Sequence, residues 1–178
     1  IKEGGVQFGN YPDMSARVVE ACRRVTKKPL ITKLSPNQTD IRENARRCIE
    51  AGSDALAVIN TVMGMAIDVK SRKPVIGNIQ GGLSGPAIKP IALLKVHQVY
   101  DVAKKHGVPI IGQGGIINAT DAIEFMIAGA SAVGGPPPAP HWLAGGGSGR
   151  RRALINSPPS PLQRGERAVR WGGECWGA

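Results

Sequence analysis

The sequence predicts an α/β fold of parallel strands, about half of a (β/α)8 TIM barrel, with an irregular tail behind it. Three observations carry this expectation. From residue 11 to 135, strand-like apolar runs alternate with helical periodicity. Every strand run is followed by a helix, which implies parallel strands joined by right-handed crossovers. Strand starts near residues 30, 55, 109 and 132 repeat at a regular interval, apart from one excursion at 61–90. A complete barrel needs about 250 residues, so four β–α steps make half of one. A doubly wound sheet is the competing architecture.

The elements follow in order. Met14, Val18, Ala21, Cys22 and Val25 recur at helical spacing and mark one face of a first helix, started by Pro12 and Asp13. Pro29 to Leu34 reads as a strand closed by the Ser35-Pro36-Asn37 turn. Asp40, with Glu43 three residues on, resembles a capping box. The helix behind it buries Ile41, Ala45, Cys48 and Ile49 and stops at Gly52, and Ala55 to Asn60 is the second strand. In the excursion, 66–69 and 73–78 are suited to pair as a hairpin, ahead of the Gly81-Gly82-Leu83-Ser84-Gly85-Pro86 loop. Pro90 sits near the start of a helix that ends at Gly107. Pro109 to Gly112 is the third strand, Thr120 to Gly129 frames a further helix, and Ala132-Val133 opens the fourth strand.

Composition narrows the class. Aromatic residues make up only 4% and all three tryptophans (Trp142, Trp171, Trp176) lie in the last quarter, so the body depends on Ile, Val, Leu and Ala. That suits a sheet covered on both faces. The net charge of +10 raises nucleic acid as a partner. Residues 1–135, however, carry 17 Lys+Arg against 11 Asp+Glu, spread over helix faces such as Arg23, Arg24, Lys27 and Lys28, which reads as a solvated surface. Cys22, Cys48 and Cys175 show no metal-type spacing, and the first two fall on helix stripes as buried thiols in a reducing compartment. No apolar run of about 18 residues argues for a membrane. From residue 136 the chain turns to Gly, Pro, Arg and Trp without apolar periodicity. A disordered tail and a shifted reading frame both fit 136–178, and the abrupt change within a strand favours the second.

Functional groups in such barrels sit at the C-terminal ends of strands. Those ends are Lys33, Asn60-Thr61, Gly85 on the long loop, and Gly114-Gly115. A lysine can hold negative charge, Asn and Thr give directional hydrogen bonds, and a Gly-Gly pair before a helix lets backbone N–H groups approach a phosphate. The set describes a site for an anionic, hydrogen-bonding ligand. Each member also has a plain structural reading: turn chemistry for the glycines, a solvated lysine, a strand terminator in Asn60-Thr61.

The motifs themselves are more specific. Lys33-Leu34-Ser35-Pro36-Asn37, Ile59-Asn60-Thr61 with Gly64-Met65-Ala66-Ile67-Asp68, the block Gly81 to Pro90, Gln113-Gly114-Gly115 and Ala128-Gly129-Ala130-Ser131-Ala132-Val133 resemble class 1 dihydroorotate dehydrogenase, nearest its class 1B, NAD-linked branch. The resemblance implies the C-terminal half of the barrel, strands about 5 to 8. It also implies an FMN cofactor and oxidation of dihydroorotate to orotate in pyrimidine (UMP) biosynthesis. A cytoplasmic enzyme, a homodimer partner and an FAD and iron–sulfur electron-transfer subunit follow from the same likeness. It assigns Lys33, Ile59, Gly85, Gly114 and Gly115 to FMN, and Asn60 and Thr61 to the dihydroorotate ring. Lys33 would stabilise the negative charge of the reduced flavin.

Two departures stand beside these matches. The family's active-site base is a cysteine in a Ser-Cys-Pro-Asn motif, and Ile1-Lys2-Glu3-Gly4-Gly5 resembles the stretch just after it, so no catalytic base is assigned in this chain. In the second phosphate-binding turn the family has Gly-Thr, where this sequence has Pro136-Pro137, and proline offers no N–H. The expectation is therefore a fragment, open at both ends and inactive as it stands, with residues 1–135 as a partial FMN/dihydroorotate domain. Open parallel edges would invite association. The FMN domain of dihydropyrimidine dehydrogenase and a basic nucleic-acid-binding module using Arg150-Arg151-Arg152 are the alternatives.

Overall fold

A computed structural model of the chain describes residues 8–135. Helix α1 (Pro12–Val25) leads to strand β1 (Ile31–Leu34), helix α2 (Ile41–Glu50) and strand β2 (Ala55–Val58). Four short strands follow: β3 (Val62–Gly64), β4 (Ile67–Asp68), β5 (Lys73–Pro74) and β6 (Gly81–Leu83). A 3-10 turn at Pro86–Ile88 opens α3 (Lys89–His106). Strand β7 (Ile110–Gln113), helix α4 (Ala119–Ile127) and strand β8 (Ala132–Gly134) complete the described chain. The expected tail, its Pro136-Pro137, and the opening Ile1 to Gly5 lie outside the described residues.

The main sheet has the order β1-β2-β7-β8, every pair parallel and the order that of the chain. A doubly wound sheet would reverse its direction of growth part way along. This one does not, and each helix packs against the next. The strands are thus arranged as in a TIM barrel, four of them forming an open sheet among the described residues with β1 and β8 at its edges.

Register separates the two faces. Leu34, Val58, Gly112 and Val133 form one row across the sheet, and Lys33, Ala57, Ile111 and Ala132 the next. The Leu34 row faces the helices. Its three side chains are buried, and a Cβ added to Gly112 would lie 2.6 Å from the Phe125 ring of α4. Glycine at 112 lets an aromatic ring rest directly on the strand backbone. The core continues through Ile41, Ala45 and Cys48 of α2 and Ala92, Val96, Val99 and Ala103 of α3.

Four local expectations need correction. The Val18, Ala21 and Val25 stripe of α1 is exposed, Val25 to 84%, while Ala16 and Val19 on the opposite side are buried. Periodicity identifies an apolar face but not its neighbour, and here α1 packs on α2 through its small residues. Cys22 accordingly is only half-buried. Arg23 is not a solvated charge: its guanidinium donates to Gly52 O at 2.8 and 3.0 Å and pairs with Asp54, tying α1 to the loop before β2. At α2, Asp40 caps the Arg42 N–H, but Glu43 turns to Arg46 rather than back to the cap.

The excursion is an arm built of two antiparallel ribbons. The expected hairpin is present as β4–β5, and a second ribbon, β3–β6, carries it.

Cys48 is buried and donates to Asn44 Oδ1 at 3.4 Å, and burial pushes its thiol up to about 11. At pH 8, thiol-reactive dye should therefore label Cys22 and spare Cys48 until denaturant is added, as read by peptide mass mapping. Phe125→Ala should cost roughly 3–5 kcal/mol, because it opens a cavity over Gly112. A urea midpoint equal to that of the unsubstituted chain would contradict the packing described.

Candidate functional site

The C-terminal ends of the parallel strands lie on one edge of the sheet, and the chain is stitched together there. Asn60 N–H donates to Leu34 O at 2.9 Å, and Ile59 N–H donates to Gln113 O at 3.1 Å. The segment leaving β2 is thereby held between the ends of β1 and β7. Ile59 is buried, whereas Asn60 is exposed with its Oδ1 accepting the Thr61 N–H at 2.9 Å. Lys33 is exposed on the sheet face turned away from the helices.

The glycines gather on the other side of Ile59. Gly85, Gly114 and Gly115 all have positive φ, at 91, 121 and 79°. A Cβ on Gly115 would lie 2.9 Å from Gly85 O, from Lys89 N and from Lys89 Cβ, and one on Gly114 would meet Ala92, Ile88 and Ile59. The turn after β7 thus rests on the start of α3. A Cβ on Gly85, by contrast, would meet nothing within 4 Å, so that backbone faces open space. The structure brings Ile59, Gly85, Gly114 and Gly115 together, with Asn60, Thr61 and Lys33 on the adjoining strand ends.

Two sets of residues that sequence reasoning did not select hold this edge in place. Asn37 uses both ends of its amide: Nδ2 donates to Thr61 O at 3.0 Å, and Oδ1 accepts the Met63 N–H at 2.9 Å. Ser35 supports it by accepting the Asn37 N–H and donating to Asn10 Oδ1. The Ser35-Pro36-Asn37 turn is therefore a bracket for the base of the arm. The second set is Lys89 with Asp121 and Glu124, at 2.6 and 2.8 Å. Asp121 Oδ2 also accepts the N–H groups of Ile117 and Asn118, and Asn118 returns a cap to the Asp121 N–H. The Asn118-x-x-Asp121 spacing was the available sequence signal for this capping box.

The Lys89 ammonium, then the Ile117 N–H, hold the Asp121 carboxyl below its usual range, and Asp121 with Glu124 raises Lys89. Asp121's contribution is thus present above its unfolded value of ~3.9 and is lost as pH falls through the lower folded value. Lys89's is complete below ~10.4 and is lost only on passing above it. The stability difference between the unsubstituted chain and Asp121→Asn should stay flat through neutral pH and vanish in acid. Urea titrations between pH 2 and 8 check this, and a difference that grew on acidification would refute the pairing.

An open parallel α/β sheet with glycine turns, Asn60-Thr61 and a lysine at its strand ends defines the class, an α/β protein of parallel strands whose candidate groups gather at one C-terminal edge. The family model for dihydroorotate dehydrogenase matches residues 1–136, and the chain belongs to that family. It is 61% identical over 133 residues to the dihydroorotate dehydrogenase B (NAD(+)) catalytic subunit of Pelobacter propionicus, covering 75% of this chain and 43% of that protein. The like-named subunits of Trichlorobacter lovleyi and Desulforamulus reducens are 59% and 57% identical over the same length. The chain spans 43% of the length of these curated relatives. The match accords with the class 1B resemblance and supports neither dihydropyrimidine dehydrogenase nor a nucleic-acid-binding module. The family is flavin-dependent. Among the described residues no helix is long and apolar enough to cross a membrane.

Proposed function

We propose that the protein to which this chain belongs oxidises dihydroorotate to orotate with FMN, in pyrimidine biosynthesis, and works in the cytoplasm. The observation that carries this reading is the gathering of Ile59, Gly85 and Gly114-Gly115 beside Lys33 and Asn60 at one edge of the parallel sheet. The residues fit the cofactor at Gly85, where a Cβ would meet nothing within 4 Å and the backbone is open to a ligand, while Gly115 must be glycine for its turn to rest on Gly85 and Lys89.

FMN, when bound, supplies the hydride acceptor for C6 of dihydroorotate. The chain's own residues hold and orient. Gly114 and Gly115 offer backbone to the phosphate, Gly85 and Ile59 contact the cofactor, and Lys33 places positive charge where negative charge develops. Asn60 and Thr61 fix the dihydroorotate ring by directional hydrogen bonds. We assign no residue of this chain as the base. Residues 1–135 make up the ligand-binding domain in this reading, with 136–178 a tail outside it. The relatives' name, catalytic subunit, fits association with an FAD and iron–sulfur subunit that passes electrons to NAD, and with a second copy of the catalytic chain.

Flavin fluorescence titration tests the reading. The chain should bind FMN, and Gly115→Ala should abolish binding, because the new methyl meets backbone atoms that cannot move aside. Lys33→Ala should retain the phosphate contact and weaken binding less. Equal FMN affinity in the unsubstituted chain and Gly115→Ala would overturn the assignment.

A further inference from the structure

Lys89 and Asp121 lie 32 residues apart and meet where the proposed phosphate-facing segments touch. The Gly115 backbone lies against Lys89 and Gly85 with no side chain between them. Just beyond this contact, Asp121 Oδ2 accepts the N–H groups of Ile117 at 2.9 Å and Asn118 at 3.2 Å. Its other oxygen accepts the Lys89 ammonium at 2.6 Å. One carboxylate, 4% exposed, therefore joins the first residue of α3 to the segment that follows the Gly114-Gly115 turn.

Each partner stands where it needs the other. A lysine in the first turn of a helix opposes the helix dipole, and the carboxylates of Asp121 and Glu124 offset that cost for Lys89. A carboxylate in the first turn of α4 suits that helix, but beside an anion-binding turn it repels the ligand unless its charge is balanced. We infer that Lys89 and Asp121 are positioning residues for a phosphate monoester. The pair fixes the stretch from Gly114 to Asn118 on the start of α3, and Lys89 cancels the carboxylate that does the fixing. This rests on the flavin reading above and names the part of the ligand the pair serves, the phosphate rather than the ring.

FMN and riboflavin differ by that phosphate alone, so titrating the chain and its variants with both isolates the effect. Asp121→Asn and Lys89→Met should each weaken FMN about tenfold, the scale of a lost charged hydrogen bond, and leave riboflavin unchanged. Lys89→Arg should keep FMN affinity, since it preserves charge and donors. Removing both charges in a Lys89→Met, Asp121→Asn double variant should recover part of what Lys89→Met loses. A pair that is merely structural would weaken both flavins in parallel. That result, or no change with either, or no recovery in the double variant, overturns the inference and leaves the flavin reading standing. An unsubstituted chain that binds neither flavin would instead sink the flavin reading, and this inference with it.

Discussion

The parallel ladder in matched register is the constraint from which the rest of the molecule follows. Parallel neighbours cannot be joined by a tight turn, so each strand must send the chain back through a helix before the next begins. Every strand then ends on the same edge. Because Leu34, Val58, Gly112 and Val133 share a row, the residues just past those ends also fall level with one another. Leu34 O and Gln113 O remain as free acceptors at the ends of their strands, and the Asn60 and Ile59 N–H groups take them. The backbone after β2 is fixed by the same bonds that would otherwise go to water, before any side chain is considered.

The polar side chains at this edge extend the same logic. Beyond β2 the chain leaves the sheet and must carry an arm whose apolar residues, Met65, Ile67, Val69, Val75 and Ile79, are largely exposed. Such an arm gains little from burial, so its orientation depends on its base. Asn37 supplies that by pairing with backbone on both sides of Val62, in the manner of a third strand two atoms long. Losing this amide would leave a carbonyl and an N–H without partners at a half-buried position, which costs more than the bonds themselves contribute.

Local signals were readable wherever the responsible residues are neighbours in sequence. Pro90 and Gly107 bracket α3 because proline suits a helix start and glycine a left-handed end. The hairpin at β4–β5 was visible for the same reason. The inner ribbon that carries it was not, since Gly81-Gly82 has no strand preference and forms one only by lying along Val62 to Gly64. The buried side of α1 escaped because two apolar faces compete on that helix and only the packing with α2 decides between them. Arg23 and the Lys89–Asp121 pair escaped because their partners lie about 30 residues away. The strand-end residues, from Lys33 to Gly115, were legible as a set because the fold places strand ends together whatever their sequence separation.

That difference bears on how an anion would be held. Two lysines stand close to the proposed ligand edge, and they are not equivalent. Lys89 is committed to two carboxylates, so its charge is spent within the protein and what remains is the geometry it imposes. Lys33 is exposed on the open face and makes no ion pair among the described residues. In the proposed site the phosphate end therefore depends mainly on oriented backbone N–H groups, whose partial charges are fixed in place and need no counterion. The full positive charge lies at the other end, where the chemistry would develop negative charge. Positive charge at the phosphate acts on reactant and transition state alike, whereas charge at Lys33 acts where the two differ. The pairing of Lys89 and the freedom of Lys33 are, on this argument, two sides of one arrangement.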